Sequence, residues 1–206
     1  MSIASSTSAR VPFLILTSLI AARMVAVSGD SKPVAPVSPE SVVKQYCQKD
    51  FDGARTSSET YSHMDHLFLW PNEPGWDTVT VVKSYRIVAS KLRGNLAVVT
   101  VEYQSLGEIA AWEFKEENKS ERVEFTLELS RKEWIWKKDE PVLSASKLAW
   151  RITNPIIQPH VSIPYAIKHV TALVKTQNDP DHQLDKVLAR LKAIQAFLRS
   201  ELPATS

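Results

Sequence analysis

Two aspartates stand at positions where helical geometry would turn them toward an apolar side. At about 100° per residue, Asp65 falls beside Tyr61, and Asp50 falls beside Tyr46. A carboxylate at an apolar position loses hydration, which raises its pKa toward the range of a general base. In a proton-transfer site of this kind, Tyr61 or Tyr103 would polarise the substrate. We favour the simpler interpretation, in which both carboxylates accept hydrogen bonds from loop backbone or cap a neighbouring helix.

Three aromatic side chains are candidates for binding a ligand. Trp70 and Trp76 flank the loop 70–77, which also carries two prolines, and Tyr103 lies in a later apolar pattern. Rigid aromatic side chains of this type line the mouths of small-molecule pockets. The alternative is that the two tryptophans cover the end of a core.

A polar helix face carries Glu59, His63 and His66. A solvated surface explains it, since no cysteine pair or His-Glu-x-x-His run accompanies the histidines as zinc sites require. The chain also lacks a phosphate loop, a dinucleotide fingerprint and a nucleophile elbow. We therefore predict no metal and no cofactor.

The chain has one cysteine, Cys47. A single thiol forms no internal disulfide, and its position beside Val43 and Tyr46 predicts a buried small hydrophobe. A reactive thiol is the alternative.

The N-terminus has the pattern of a secretory signal. Arg10 precedes an apolar run, 11–22, and small residues follow it, which predicts cleavage near residue 28 or 29. The run is short for a bilayer span, which needs about 20 apolar residues. We therefore expect a signal peptide at 1–28, with an uncleaved membrane anchor as the alternative, and a Pro-rich tether at 29–37. The expected location is periplasmic or extracellular.

The charge balance argues against one class of partner. The formal net charge is +2, from 25 Lys and Arg against 23 Asp and Glu, and two of the basic residues, Arg10 and Arg23, lie in the signal segment. The processed chain would be neutral. Nucleic-acid binding depends on clustered basic side chains, so we predict none.

Helical signals open and close the folded part. Ser38 and Pro39 form an N-cap and a first helical position, and Gly53 ends the segment. Thr56 and Glu59 predict a capping box for a second helix that runs unbroken through residue 69. Later helices are predicted to start at Ser162 and at Asp179, the last one with a continuous apolar face.

Between these helices, apolar residues recur at every second position. Strands are predicted over 79–89, 96–106 and 122–129, with a tight turn at 94–95 and shorter strands at 134–137 and 148–153. The alternation of apolar and polar residues is typical of antiparallel sheets with one packed face. The segment 132–147 has no clear assignment.

Two helices that feed a curved antiparallel sheet resemble the nuclear-transport-factor-two-like (cystatin-like cone) superfamily. The run 39–43 with Asp50 and Gly53, and the later run 150–152 before Pro155, carry the resemblance. It implies an α+β cone over 38–176, closed by N-terminal helices. The amphipathic helix predicted within residues 177–206 is an extension outside the usual cone. The family contains isomerases, dehydratases, cyclases and non-catalytic binders, so the fold alone does not give the function.

Three functions remain open from the sequence. The first is an exported, non-catalytic module that binds a small apolar or amphipathic ligand or a partner protein. The second is a lyase or isomerase that uses Asp65 or Asp50 as its base. The third is an interaction protein that pairs through the helix at 179–202, for example as a homodimer. The balance favours the first.

Overall fold

The computed structural model describes residues 36–70, 74–137 and 140–201. In them a curled five-stranded sheet forms a half-barrel, with a 13-residue helix and a short helix before it and two helices after it. This confirms the predicted α+β class. The predicted signal peptide, 1–28, and residues 29–35 of the tether lie outside the described residues.

The first helix, α1 (Pro39–Phe51), begins and ends as its sequence predicts. The Ser38 side chain accepts a hydrogen bond from the Ser41 backbone N–H at 3.2 Å, and Pro39 occupies the first turn. Gly53 takes the left-handed conformation, with φ of 83°, that ends the helical path.

The predicted second helix is wrong over most of its length. A 3-10 turn (Ala54–Thr56) and a short helix α2 (Ser58–Tyr61) lead into a 3-10 helix (Ser62–Leu67), and Ser57 caps α2 in place of Thr56. A 3-10 helix has three residues per turn, so the spacing of Tyr61, Met64 and Leu67 places them on one buried side. Asp65 is half-buried and is not one of the residues on that buried side.

The strands run in the order β4-β3-β2-β1-β5, antiparallel except for a short parallel pairing of β5 with β1. Irregular register at several points in β1–β2, including Ile87/Ala89, introduces bulges that increase twist and let long strands curl. The predicted turn at Gly94 joins β1 and β2. The strands are β1 (Thr78–Arg93), β2 (Leu96–Ala110), β3 (Glu113–Lys137), β4 (Glu140–Asn154) and β5 (His160–Ser162).

The inward face of the sheet packs against α1 in a first core. The predicted alternation of apolar and polar residues is confirmed on β2 and β3. The helix α1 adds Val43, Tyr46 and Cys47 to the same core. The sheet contributes Val82, Ala97, Val99, Val101, Tyr103, Val123, Phe125, Leu127 and Ile152.

One residue on the outward face of the sheet, Glu102, is not exposed to solvent as the alternation predicts. Glu102 is buried because Arg86 Nε and Arg122 Nε, on the neighbouring strands, donate to its carboxylate at 3.0 and 2.9 Å. These hydrogen bonds, together with the charges of the two arginines, hold the pKa of Glu102 below its usual range.

The segment that had no assignment from sequence forms the distal part of the β3–β4 hairpin. The pairing of β2 with β3 begins at Leu96 and Glu128, whereas β3 continues to Lys137. Beyond Ser130, β3 pairs with β4 alone among the described strands. We call this two-stranded extension the β3–β4 arm, residues 131–137 and 140–148.

A second core lies on the opposite face of the sheet, under the helices α3 (Ile163–Thr176) and α4 (Gln183–Ser200). Ser162 caps α3 as predicted, whereas α4 begins four residues after Asp179, whose carboxylate accepts from the backbone N–H groups of Gln183 and Leu184. The apolar face of α4 packs within the chain and contributes Leu184, Val187, Leu191 and Ile194 to this core. The other buried residues of the core are Val81, Leu106, Ile109, Val161, Ile163, Ala166 and Val170. No helix among the described residues is long and apolar enough to cross a membrane.

Candidate functional site

A groove of about 490 Å³ opens beside the first core. Its walls come from the turn after α1, from α2, from the segment 74–76, from the residue before β5 and from α3. The described residues that line it are Arg55, Thr56, Ser57, Ser58, Tyr61, Pro74, Gly75, Trp76, Val79, Pro159 and His169. Its volume lies within the range of about 300–1,000 Å³ that is usual for small-molecule sites.

One wall carries three hydroxyl groups. The Thr56 hydroxyl donates to the Gly53 carbonyl at 2.9 Å, and the Ser57 hydroxyl accepts from the Thr60 backbone N–H at 3.3 Å as the cap of α2. The Ser58 hydroxyl makes no hydrogen bond to any described residue. This wall therefore has one hydroxyl that can both donate to and accept from a ligand.

Aromatic side chains form the apolar part of the groove. The Tyr61 ring stacks on Phe68 at 5.3 Å between centroids, and Phe68 stacks on Trp70 at 4.3 Å. This stack fixes the Tyr61 ring. Trp76 is half-buried, and its ring lies 5.8 Å from the guanidinium carbon of Arg55.

Arg55 supports the groove from behind. Arg55 is among the lining residues, but its side chain is 0% exposed. The guanidinium donates to Asp50 Oδ2 at 3.3 Å and to the Ile157 carbonyl, and it lies 5.5 Å from the centroid of the Tyr46 ring. The positive charge is therefore compensated and is not offered to a ligand.

Asp50, the partner of Arg55, is completely buried, as its place on the apolar side of α1 predicts. Its Oδ2 accepts from the His160 backbone N–H at 3.0 Å, in addition to the bond from Arg55. The carboxylate thus ties α1 to the start of β5. This is the structural role that the sequence favoured for Asp50, and the side chain is not among those lining the groove.

His169 of α3 is the titratable side chain on the opposite wall. It is half-buried, its ring lies parallel to Tyr165 at 6.1 Å, and it forms no hydrogen bond to a described residue. Burial lowers the pKa of His169 below its usual range. The imidazole is therefore uncharged at neutral pH, with one donor and one acceptor nitrogen.

Gly53 allows α3 to approach the turn after α1. A β-carbon at position 53 would lie 2.1 Å from Tyr165 Cζ, which is far inside van der Waals contact. The Tyr165 ring occupies that space, and its hydroxyl bonds the Thr56 hydroxyl. The absence of a side chain at position 53 thus sets the distance between the hydroxyl wall and the His169 wall.

The structure brings only part of the predicted site together. Tyr61 and Trp76 line the groove, and Asp65 is not among the described lining residues. Trp70 and Tyr103 lie in the first core, as the alternative for Trp70 proposed. The neighbours of Trp70 at residues 71–73 lie outside the described residues.

Cys47 is buried, as predicted. Its Sγ lies 3.2 Å from the Tyr103 hydroxyl, within hydrogen-bonding distance. Burial raises the pKa of the thiol to about 12, which leaves it protonated and poorly nucleophilic at neutral pH. Glu59, His63 and His66 are exposed, and the described residues contain no group of three or more potential metal ligands.

The sequence did not indicate His169, Ser57 or Ser58. His169 stands between Lys168 and the buried Val170 on α3 with no motif around it, and the two serines are the cap and the first residue of a short helix. The turn that holds the serines did give a signal at Gly53, because a helix-ending glycine predicts a sharp turn. Their proximity comes from the packing of α3 against that turn.

Comparison of the chain with protein-family models, with curated proteins and with solved structures finds no match.

Proposed function

We propose that this chain is a non-catalytic binding module whose groove between the turn after α1 and α3 holds a small amphipathic ligand. The observation that carries the proposal is the character of the groove wall. It combines fixed aromatic rings with hydroxyl and imidazole groups, and no described lining residue carries a carboxylate. Pockets that bind small molecules have this mixture of apolar walls and a few polar groups.

The composition of the wall also favours binding over proton-transfer catalysis by a carboxylate base. A lyase or isomerase with a carboxylate base needs that carboxylate within hydrogen-bonding reach of the substrate. Asp50 is turned instead toward Arg55 and the His160 N–H. The concave face of the sheet is filled by core side chains such as Tyr46 and Phe125, which are completely buried.

The test is mass spectrometry of small molecules that co-purify with the protein from its own source. We expect a compound that is retained by the wild type and lost from Trp76→Ala. Trp112→Ala is the matched control, because Trp112 is also partly exposed but lies at the β2–β3 turn outside the groove. Identical compounds in the wild type and both variants would contradict the proposal.

We further propose that the chain is exported and that its domain belongs to the cone superfamily it resembles. The signal-like N-terminus supports the first statement, and α1 packed on a curled sheet supports the second. N-terminal sequencing of the exported protein should give a start near Gly29 or Asp30. An intact Met1 in the membrane fraction would show an anchor instead.

A further inference from the structure

The charges around the groove restrict the chemistry of its ligand. Among the described lining residues, Arg55 is the only formally charged one, and its side chain is buried and paired with Asp50. The other titratable groups are Tyr61 and His169, and burial keeps the imidazole uncharged at neutral pH. A charged ligand group would lose hydration here without gaining a counter-charge, which costs several kcal/mol in buried sites.

The uncharged polar groups of the groove are best satisfied by a ligand group that both donates and accepts hydrogen bonds. A hydroxyl such as that of Ser58 and a neutral imidazole such as that of His169 each have one donor and at least one acceptor. Both side chains line the groove and neither has a hydrogen-bond partner among the described residues. When a ligand displaces water, these groups must be satisfied by the ligand or their desolvation opposes binding.

The apolar groups favour a ring. Trp76 and Tyr61 present aromatic surface, and Pro74, Pro159 and Val79 complete the apolar lining. Such surfaces gain more from contact with a flat or cyclic group than from a flexible chain, since less conformational freedom is lost.

We infer that the groove takes an uncharged, ring-containing molecule with a hydroxyl head group, whose ring contacts Trp76 and whose hydroxyl is bound by Ser58 and His169. This inference rests on the proposed binding function and narrows it to one ligand class. Anionic and cationic molecules of the same size are discriminated against by desolvation, without a repulsive charge among the described lining residues.

Three probes with one ring and different heads test the inference: 2-phenylethanol (uncharged), 3-phenylpropionate (anionic) and 2-phenylethylamine (cationic). Each is titrated into the full protein at neutral pH, and NMR follows the Trp76 indole N–H and the His169 ring. We expect saturable shifts of both signals with the alcohol. We expect each charged probe to bind at least about tenfold more weakly, equivalent to about 1.4 kcal/mol.

Variants then test which residues bind the hydroxyl group of the probe. His169→Phe keeps an aromatic ring but removes the hydrogen-bonding nitrogens, and it should weaken binding of 2-phenylethanol about fivefold to tenfold, the range for one lost hydrogen bond. His63→Phe is the control, because His63 is exposed and is not among the lining residues. Thermal unfolding of both variants shows whether the fold is retained. If His169→Phe fails to fold, Ser58→Ala replaces it, with the same expected direction.

The outcomes separate the inference from the proposed function. If a charged probe binds the groove best, or if His169→Phe and Ser58→Ala both leave the affinity for the alcohol unchanged, the inferred ligand class is wrong while the groove remains a binding site. If none of the three probes shifts the Trp76 or His169 signals up to its solubility limit, the inference and the proposed function both fail.

Discussion

Asp50 and Arg55 are both buried, and each is held by groups from other parts of the chain. The pair joins α1 to the turn after it, and the carboxylate also accepts from the backbone at the start of β5. Replacing a buried ion pair as a unit can be nearly neutral, but removing one partner leaves an uncompensated charge. The side chains of this pair therefore bear on stability more than on ligand contact.

Asp50→Ala should destabilise the protein by about 3–5 kcal/mol, because Arg55 would remain buried without its counter-charge. Asp52→Ala is the matched control: Asp52 is an exposed carboxylate two residues later, bonded at 3.0 Å only by Gln48 Nε2 among the described side chains. Its removal should change stability by no more than about 0.5 kcal/mol. Chemical denaturation measures both values. Equal losses for the two variants would refute the role of the pair.

The buried thiol should be unreactive in the native state. With a pKa of about 12, Cys47 has almost no thiolate at neutral pH, and a reagent must also wait for the core to open. We expect labelling by a thiol reagent only when denaturant is added. The double variant Cys47→Ala/Ser84→Cys, which moves the thiol to an exposed strand position, should react at once. Rapid labelling of the wild type would mean that α1 opens locally.

His169 should make stability depend on pH in one direction. Since burial places its folded pKa below the unfolded value near 6.5, protonation favours the unfolded chain. The contribution is fully present above about pH 6.5 and is lost as the pH falls through the lower folded pKa. Unfolding experiments at neutral pH and at pH near 5 should show a smaller acid loss for His169→Gln than for the wild type. An equal loss would show that the ring is hydrated.

At the level of elements, the turn after α1 decides how closely α3 approaches. Gly53 and Gly94 both have positive φ, 83° and 61°, but only Gly53 has Tyr165 where a β-carbon would go. Gly94→Ala should therefore cost about 1–2 kcal/mol for the left-handed conformation alone. Gly53→Ala should cost at least about 1 kcal/mol more because Tyr165 must also move. Denaturation curves measure the difference, and equal costs would mean that α3 shifts freely.

The elements that the sequence predicted well are those with a strong period. Alternation located the central strands, and caps located the starts of α1 and α3. The second helix failed because Tyr61, Met64 and Leu67 fit a 3-10 helix as well as an α-helix over so short a span. The phase of Asp65 depended on that choice.

The groove was less accessible to prediction than the strands. Trp76 was identified because it lies in a loop with two prolines, and Tyr61 because helical spacing placed it beside Asp65. His169 was not, since it reaches the groove only through the contact of Tyr165 with Gly53, more than 100 residues apart in the chain. A pairing at such separation leaves no local pattern.

In the whole molecule, the sheet separates two cores. Val81 and Val82 are adjacent in β1, and they face the α3–α4 core and the α1 core respectively. The C-terminal helix therefore completes one of the two layers, with its apolar face used inside the chain. Phe197, which is 60% exposed, is the large apolar side chain that this layer leaves most open on α4.

The unequal lengths of β2 and β3 have a consequence for local unfolding of the native state. A ribbon of two strands is only marginally stable in water, and the β3–β4 arm has no third described strand to hold it. Its backbone amides should therefore exchange with deuterium through local opening, well before those of Val99 or Phe125, whose protection requires global unfolding. The same opening would make the arm the first point of limited proteolysis. Exchange of the arm at the rate of the central strands would show that it is held by something besides β4.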